Sequence, residues 1–440
     1  MGKIVKDLKI EKLVYKGYGL GFKNSIPFFV SYSVPEDLLD IEITHTKKDV
    51  SFGIIKKIKK ESENRIKPEC EVFGECGGCD WLNIPYRKQL EYKQQVIEEI
   101  FRKLQIEEIN RMIDSNDEKF YRNKSYFPIT QINGKPVIGM FARKSHQVIP
   151  HKKCEIHPPI FDKLISDFQK YLIASKTSIY NEKTGKGTAK HLGIRFSKTT
   201  NELLIIYITK TRKMPFSKQL VRMLREKYPN IIGIVQNINP KQTNTLLAED
   251  EKILYGRDYL YDQIGGFRFK LNYKSFFQIN SSVSEKMYNF VKDNLEPDTN
   301  VIDAFCGVGT ISIFIAEKVK KVFGIENNAN AINDANKNLE INDISNCEFL
   351  NENVENILPD IIKRDIDTII FDPPRKGLDE KSIISLPQTI KKVIYISCNP
   401  TTQKRDVEKF MGIGFHVKMM QAFDMFPQTY HIENVLILER

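Results

Sequence analysis

The sequence predicts a multidomain chain in which a small β-barrel, an α+β domain and an α/β domain follow one another. A length of 440 residues exceeds one ordinary core, and 41% hydrophobic with 28% charged residues is typical of globular proteins. Apolar and polar residues alternate with turn signals near the N-terminus, whereas strands alternate with glycine loops and helices near the C-terminus. These patterns predict domains over residues 1–59, 60–270 and 271–440.

The first predicted domain consists of short strands. Period-2 alternation occurs in residues 7–11, 17–21 and 27–30, with turn residues between them. Several short strands in so small a segment predict a barrel. The end of this segment is basic, and the chain has a net charge of +11, so a polyanionic partner such as RNA is favoured. The basic residues are Lys56, Lys57, Lys59 and Lys60.

A cluster of cysteines follows the barrel. Cys70, Cys76 and Cys79 lie close together in the sequence, and Cys154 is the best candidate for a fourth ligand. An odd total of seven cysteines argues against a disulfide framework. Four thiolates can hold a [4Fe–4S] cluster or a tetrahedral zinc ion, and the spacing leaves both open.

The region after these cysteines mixes helices and strands. Residues 85–104, 159–174 and 215–228 have helical apolar periodicity. Residues 203–208 and 231–236 are apolar runs of strand length. The mixture predicts an α+β domain. Aromatic and basic residues within it are candidates for contact with RNA, although a solvated hairpin face explains them as well: Tyr121, Arg122, Asn123, Lys124, Arg143 and Lys144. Three histidines are expected at the surface or facing RNA: His146, His151 and His157.

From residue 271 the pattern predicts alternating strands and helices. The predicted strands are 301–303, 321–326, 368–371, 393–397 and 434–439, and the predicted helices are 311–319 and 329–341. Such alternation implies a parallel sheet with helices on its faces. In an open sheet of this kind, ligands bind at the carboxyl ends of the strands.

A glycine loop joins the first of these strands to a helix. The loop runs from Asp303 through Gly307 to Thr310, and Glu326 lies at the end of the next strand, where a carboxylate can bind ribose hydroxyls. A serine replaces the third glycine of a dinucleotide fingerprint, and Asp303 disfavours a pyrophosphate. An acidic loop suits a cationic nucleoside such as S-adenosylmethionine better. Cys306, inside the loop, is expected to serve packing.

Three short motifs near the C-terminus contain candidate catalytic groups. They are Asp372-Pro373-Pro374-Arg375, Ser397-Cys398-Asn399-Pro400 and His431-Ile432-Glu433-Asn434. Cys398 follows an apolar run and should lie at the carboxyl end of a buried strand. A cysteine there, with a carboxylate on a later segment, suits covalent catalysis. Arg375 could bind a phosphate or pair with a neighbouring acid.

Taken in order, the segments DAFCGVGTIS, FDPPRKGLD, YISCNPTT and FPQTYHIENV resemble the RNA uridine-5-methyltransferase family. The resemblance implies a Rossmann-like, S-adenosylmethionine-dependent methyltransferase domain over residues 271–440. It extends upstream, because residues 1–59 are similar to an OB-like TRAM barrel and the C-x(5)-C-x(2)-C spacing also fits. Together these features resemble the 23S ribosomal RNA branch, whose members carry a [4Fe–4S] cluster.

The resemblance also implies roles for individual residues. Cys398 is the expected nucleophile and Glu433 the expected base, whereas His431 is expected to be structural. Cys70, Cys76, Cys79 and Cys154 are the expected ligands of the [4Fe–4S] cluster. The expected S-adenosylmethionine site consists of Gln278, Phe305, Gly307, Thr310, Glu326, Asn353 and Asp372.

The chemistry requires both catalytic groups. Carbon 5 of uracil is a poor nucleophile, and addition of a thiolate at carbon 6 produces an enolate that makes carbon 5 reactive. After methylation a base must remove the proton at carbon 5 so that the thiolate can leave, and a desolvated carboxylate has a pKa suited to this step. The target uridine must leave its stack to reach the thiolate.

The sequence therefore predicts an enzyme that makes 5-methyluridine in 23S ribosomal RNA. The same chemistry on tRNA is one alternative, and a non-catalytic RNA-binding or ribosome-assembly protein is another. A nicotinamide-dependent oxidoreductase is disfavoured by the incomplete glycine pattern. A cytoplasmic location is expected, because no apolar run reaches the length of a membrane span and the N-terminus has no secretory signal. The protein is also expected to be a monomer.

Overall fold

The computed structural model describes residues 3–243 and 245–440. The N-terminal strands are β1 (Ile4–Lys9), β2 (Lys12–Val14), β3 (Tyr18–Lys23), β4 (Ile26–Ser31), β5 (Leu38–Lys47) and β6 (Val50–Lys60). They form one sheet in the order β1-β5-β6-β4-β3-β2. Strand β3 passes close to β1 at Gly21, where a Cβ atom would lie 2.3 Å from the carbonyl oxygen of Lys9. This approach curls the sheet around an apolar core, which is compatible with the predicted barrel. That core consists of Leu8, Ile10, Phe28, Val30, Leu39 and Ile41.

The central part of the chain forms a second sheet. Its elements, and those preceding it, are α1 (Tyr86–Phe101), β7 (Ile106–Ile109), β8 (Lys124–Ile132), β9 (Lys135–Phe141), β10 (Val148–Pro150), α2 (Pro159–Ala174), β11 (Ala189–Phe196), β12 (Leu203–Thr209), α3 (Ser217–Lys227), β13 (Ile231–Ile238) and β14 (Glu251–Gly256). The sheet order is β10-β9-β8-β11-β12-β13-β14. Every residue of β12 is buried, as expected for a central strand that is covered on both faces.

The C-terminal part begins after a hairpin of β15 (Tyr259–Ile264) and β16 (Phe267–Asn272). Its elements are α4 (Ser281–Asp293), β17 (Asn300–Ala304), α5 (Thr310–Ile315), β18 (Lys321–Glu326), α6 (Ala329–Ile341), β19 (Cys347–Asn351), α7 (Val354–Ile361), β20 (Thr368–Phe371), α8 (Glu380–Ile384), β21 (Lys392–Ser397), α9 (Pro400–Gly412), β22 (His416–Phe423) and β23 (Glu433–Glu439). The α/β alternation predicted for this region is present.

The C-terminal sheet has the order β19-β18-β17-β20-β21-β23-β22-β7. Strands β17 to β21 are parallel to one another, whereas β23 runs antiparallel to both β21 and β22. The chain moves outward from β17 in one direction through β18 and β19, and then returns to its other side with β20. Ligands bind at such a reversal of strand order, outside the carboxyl ends of the strands.

One segment of the expected central domain packs on the C-terminal sheet instead. Strand β7 pairs in parallel with β22 and extends the sheet at that edge. Helix α1 contributes Val96, Ile97 and Phe101 to the core of the C-terminal domain. The segment from 86 to 109 therefore packs on the C-terminal domain, although it lies in the predicted central domain by sequence. The domain boundaries at residues 59 and 270 remain predictions.

Among the residues that the structure describes, none of the helices has both the length and the apolar character needed to cross a membrane.

Candidate active site

Cys398 and Glu433 lie at adjacent ends of two neighbouring strands. Strands β21 and β23 are antiparallel, with Ser397 opposite Asn434. Cys398 directly follows Ser397, and Glu433 directly precedes Asn434, so this register places the thiol and the carboxyl group at the same edge of the sheet. Glu433 is 2% exposed, whereas Cys398 is half-buried.

A buried side chain of α9 joins the strand that leads to Cys398 to the strand that begins at Glu433. The buried side chain of Gln403 donates to the carbonyl oxygens of Tyr395 (2.8 Å) and Asn434 (3.1 Å), and its Oε1 accepts from Nδ2 of Asn434 (2.8 Å). One side chain thus joins β21 to β23 immediately beside the two candidate catalytic residues. The relative position of thiol and carboxyl group is therefore set by buried polar contacts.

A cavity of about 1030 Å³ opens at this edge of the sheet. Cys398 and Glu433 both line it, together with Arg375. Six of the residues predicted for the S-adenosylmethionine site also line it: Gln278, Phe305, Gly307, Glu326, Asn353 and Asp372. Thr310 does not line it; this residue begins α5, and its hydroxyl group accepts a hydrogen bond from Tyr288 at 3.5 Å.

The glycine loop turns sharply at the carboxyl end of β17. Phe305, Gly307 and Gly309 have φ values of 66°, 56° and 78°, in the left-handed region that side chains rarely adopt. At Gly309 a Cβ atom would also lie 2.5 Å from the ring of Phe349, so glycine is required there. Glu326 accepts from the N–H of Gly307 (3.3 Å), which holds its carboxylate against the loop.

Buried carboxyl groups make this edge of the sheet acidic: Asp372 and Glu433 line the cavity, and Asp303 is buried just before the glycine loop. Asp303 accepts from the N–H and hydroxyl of Ser312 at 3.0 and 2.6 Å, while its Oδ1 has no hydrogen-bond partner among the described residues. Burial raises the pKa of Asp303 to about 7. Burial, reinforced by the charge of Asp303, also raises the pKa of Asp372 to about 7. The pKa of Glu433 is raised well above its usual value by burial and by Asp372. A positively charged ligand would stabilise all three in their ionised form.

The thiol of Cys398 is weakly acidic in this environment. Burial, followed by the charge of Glu433, raises the pKa of Cys398 to about 11. Arg375 opposes this shift through its charge and through a hydrogen bond to the sulfur. Because the thiolate is the nucleophilic form of cysteine, Arg375 is the group that favours reactivity at Cys398.

Two of the predicted RNA-facing residues are buried instead. Tyr121 donates from its hydroxyl to the carbonyl oxygen of Pro427 at 3.0 Å, and Asn123 donates to that of Gln278 at 2.9 Å. The prediction is therefore wrong for both, since hydrogen bonds within the protein satisfy their polar groups. Arg122, Arg143 and Lys144 do line the large cavity, where a ligand can reach them.

The four predicted metal ligands lie together. Cys70, Cys76, Cys79 and Cys154 line one small cavity, although about 75 residues separate the last from the other three. Burial raises the pKa of all four thiols. The N–H of Gly78 donates to the sulfur of Cys76 at 3.4 Å. Four thiols that line the same cavity suit a metal group.

Two histidines enter the same cavity, contrary to the prediction that they lie at the surface. The side chain of His151 is 4% exposed, and neither ring nitrogen has a hydrogen-bond partner among the described residues. His157 is fully buried, and its Nε2 is 2.6 Å from the hydroxyl oxygen of Ser125. Ligand atoms of His151, Cys154 and His157 lie within 4.8 Å of one another. These residues form an alternative metal-binding set that shares Cys154. His146, in contrast, is exposed.

Sequence reasoning missed the contribution of the N-terminal strands to the active site. Lys16 and Tyr18 line the large cavity, as does Asp80 from the cysteine region. No motif marks these residues, and they lie more than 280 positions before Asp372 in the sequence. Only the packing of the barrel against the C-terminal domain brings them there.

Comparisons with known proteins agree with this architecture. The family model described as tRNA (Uracil-5-)-methyltransferase matches residues 85–440. An uncharacterized RNA methyltransferase of Listeria monocytogenes is 37% identical over 98% of this chain and 97% of its own length. One from Clostridium tetani is 33% identical over 98% of this chain and 95% of its own.

A solved structure has a similar fold over nearly the whole chain. It is the crystal structure of the tRNA (uracil-54, C5)-methyltransferase of Pyrococcus abyssi in complex with S-adenosyl-L-homocysteine. The TM-score is 0.80 with 24% sequence identity, and the match covers 98% of this chain and 100% of that one. At this identity the match is evidence for the fold.

Proposed function

Since this chain belongs to the tRNA (uracil-5-)-methyltransferase family, we propose that it methylates carbon 5 of a uridine in 23S ribosomal RNA. The observation that carries the proposal is the position of Cys398 beside Glu433, in one cavity with the glycine loop. A nucleophile, a base and a nucleoside-binding loop at one sheet edge are the groups that this reaction needs.

Cys398 and Glu433 act in sequence on the target base. The thiolate of Cys398, stabilised by Arg375, adds to carbon 6 and places a negative charge on the ring as an enolate. Carbon 5 then attacks the methyl group and displaces a neutral thioether. Glu433, in its carboxylate form, removes the proton from carbon 5. The electron pair of that C–H bond restores the C5–C6 double bond and expels the thiolate, which regenerates the enzyme.

The residues at the cavity floor fit S-adenosylmethionine, which supplies the methyl group on a positively charged sulfur. The unpartnered Oδ1 of Asp303 and the raised pKa values of Asp372 and Glu433 indicate buried carboxyl groups that a further positive charge beside them would stabilise in their ionised form. Glu326, at the end of β18, would accept hydrogen bonds from the ribose hydroxyls. The remaining contacts would come from Gln278, Phe305, Gly307 and Asn353, and less directly from Thr310, which begins α5 after the loop.

The cysteine site fits a [4Fe–4S] cluster. Four cysteines line one cavity, and a peptide N–H donates to one of the sulfur atoms, as occurs around iron–sulfur clusters. Cys70, Cys76, Cys79 and Cys154 would be the ligands. The methylation described above includes no electron transfer, so the cluster would serve to cross-link the segment around residues 70–79 to residue 154. The N-terminal barrel would act as a TRAM domain that binds RNA.

Trapping with 5-fluorouridine tests the catalytic proposal. Fluorine replaces the proton that Glu433 must remove, so wild-type enzyme, S-adenosylmethionine and substituted 23S ribosomal RNA fragments should form a covalent adduct that persists in denaturing gels. Cys398→Ala should form none. Cys347→Ala, which changes another half-buried cysteine outside the cavity, is the matched control and should form the adduct normally. An adduct with Cys398→Ala would overturn the assignment.

A tRNA substrate is the second candidate, and one observation favours it. The fold of the tRNA (uracil-54, C5)-methyltransferase of Pyrococcus abyssi matches 98% of this chain, so the N-terminal sheet does not exclude tRNA. Mapping 5-methyluridine in the ribosomal RNA and tRNA of a strain lacking this protein decides between them. If 5-methyluridine were lost from tRNA alone, the proposal of a 23S ribosomal RNA substrate would be contradicted, whereas the proposed reaction mechanism would stand.

We also propose that the protein is a monomer, which light scattering of the purified enzyme would test.

A further inference from the structure

The turn between β2 and β3 contacts the loop that carries the nucleophile. The hydroxyl of Tyr15 donates to Oδ1 of Asn399 at 3.2 Å, across 384 positions of sequence. The ring of Tyr15 also meets that of Tyr430 edge-on, with centroids 5.7 Å apart. Gly17 also packs against the ring of Tyr430, so closely that a Cβ atom on Gly17 would lie 3.1 Å from Cδ1 of that ring. The barrel is thus fastened to the loop beside Cys398.

A second, smaller cavity of about 220 Å³ lies at this junction. Cys398 lines it as well as the large cavity, so the two cavities meet at the nucleophile. The barrel contributes Tyr15 and Lys16 to the small cavity, and the C-terminal domain contributes Arg375, Thr401 and Tyr430. The small cavity is therefore complete only when both domains are present.

Two cations that form no salt bridge among the described residues line the small cavity. Lys16 and Arg375 are exposed, and neither forms a salt bridge with any acidic side chain in residues 3–243 or 245–440. The backbone of Lys16 is held in place, because the guanidinium of Arg143 donates to its carbonyl oxygen at 2.6 Å. Positioned cations of this kind favour an anionic ligand, and Lys and Arg are the usual partners of RNA phosphates.

The start of α9 adds to the positive potential. The side chain of Asn399, at the position before the helix, accepts from Tyr15 and from the hydroxyl of Thr401 (2.7 Å) and makes no capping bond to the first turn. Pro400 has no backbone N–H and that of Gln403 donates to the carbonyl oxygen of Asn399, so this turn offers at most the N–H groups of Thr401 and Thr402 to a negative group. This contribution supports the two cations.

We propose that the small cavity binds a phosphate group that flanks the target uridine, with Lys16 of the barrel and Arg375 as its ligands. The inference rests on the proposed function, because a uridine whose ring is bonded to Cys398 carries its own phosphates only a few bonds away. The barrel thereby contributes directly to the active site in addition to any contact with distant RNA. Tyr15 is a positioning residue that keeps Lys16 and the Cys398 loop together.

Neutral phosphate analogues test this assignment. Three synthetic fragments of 23S ribosomal RNA are compared: one unmodified, one with a methylphosphonate on the 5′ side of the target uridine and one with it on the 3′ side. Binding by wild type and Lys16→Gln is measured without methyl donor. On the unmodified RNA, Lys16→Gln should weaken binding several-fold, and the slope of log Kd against log salt should fall by about 0.7. On at least one methylphosphonate RNA the two proteins should bind equally.

The control is Lys57→Gln, an exposed lysine of β6 outside both cavities. It should weaken binding to all three RNAs by the same factor, because it acts only through net charge. If the ratio between wild type and Lys16→Gln were also the same on all three RNAs, the phosphate assignment would be overturned. Methylation of the unmodified RNA by wild type would then still support the proposed function.

A second variant tests the role of Tyr15. Tyr15→Phe keeps the ring against Tyr430 but removes the bond to Asn399, so the single-turnover rate of adduct formation should fall several-fold. The affinity for S-adenosyl-L-homocysteine should stay unchanged, because Tyr15 lines only the small cavity, whereas the residues proposed to bind that ligand line only the large one. Equal losses in both measurements would indicate general damage to the fold and would contradict a positioning role.

Discussion

Lys93 of α1 and Asp424, which follows β22, form an ion pair with 2.5 Å between Nζ and Oδ1, and both side chains are 0% exposed. Lys93 also donates to the carbonyl oxygen of Phe426 at 3.1 Å. Nearby, Gln89 donates to Oε1 of Gln428 at 2.7 Å. Helix α1 thus holds the segment from 424 to 431, which supplies Tyr430 and His431 to the active site.

Breaking this pair should destabilise the protein strongly. Lys93→Met leaves a buried carboxylate without its partner, which costs about 3–5 kcal/mol. The urea midpoint of the C-terminal domain should fall accordingly. Lys88→Met, in an exposed pair on the same helix, should change stability by less than about 1 kcal/mol. Adding Asp424→Asn to Lys93→Met should recover part of the loss; no recovery would show that the charge is not the cause.

Adduct formation should accelerate as the pH rises. The pKa of Cys398 is raised to about 11, so below that value each unit of pH increases the thiolate fraction about tenfold. With 5-fluorouridine RNA, the rate should therefore climb between about pH 7 and pH 9. Arg375→Gln removes a charge that lowers this pKa and should slow the reaction at each pH. A rate independent of pH over this interval would contradict addition of the thiol as the limiting step.

Glu433→Gln should stop the reaction after methyl transfer. The amide cannot remove the proton from carbon 5, so a covalent enzyme–RNA species should accumulate with ordinary uridine and S-adenosylmethionine. Its abundance would be read from denaturing gels and mass spectrometry. Glu439→Gln, on the same strand but paired with Lys392 and Lys418, is the control and should turn over normally. Release of methylated RNA at the wild-type rate by Glu433→Gln would exclude it as the base.

Glu326→Gln should weaken cofactor binding. A neutral amide accepts hydrogen bonds from the ribose hydroxyls less strongly than a carboxylate, and the loss should be about tenfold in the affinity for S-adenosyl-L-homocysteine measured by calorimetry. Glu340→Gln, an exposed residue of α6, should have no effect. An unchanged affinity for Glu326→Gln would place the ribose elsewhere.

Metal content should depend on Cys70. In the proposed cluster site all four thiols are ligands, so Cys70→Ser should abolish the brown colour and the iron of anaerobically purified enzyme, whereas His151→Ala should retain both. The alternative set of His151, Cys154 and His157 makes the opposite prediction for these two variants. Stoichiometric zinc that survives Cys70→Ser and disappears in His151→Ala would refute the iron–sulfur proposal.

Local patterns in the sequence were sufficient to predict the secondary structure of much of the C-terminal domain. The strand at Lys321–Glu326 and the helix at Ala329–Ile341 have the predicted limits, because each has a clear apolar period and a polar boundary. Strand β22 was not predicted, since its residues lack a regular alternation that distinguishes a strand. Strand β7 has mostly exposed residues, and only its pairing with β22 makes it a strand.

The sequence by itself determined which chemistry can be proposed for this protein, because the thiol, the carboxylates and the glycines of the predicted cofactor loop are marked by short motifs at strand ends. The tertiary structure alone decided which distant groups meet: the register that places Cys398 beside Glu433, the burial of His151 and His157, and the contact of Tyr15 with Asn399. The physical reason is that apolar periodicity reports only the local environment of a segment, whereas contacts between residues hundreds of positions apart arise from how whole domains pack.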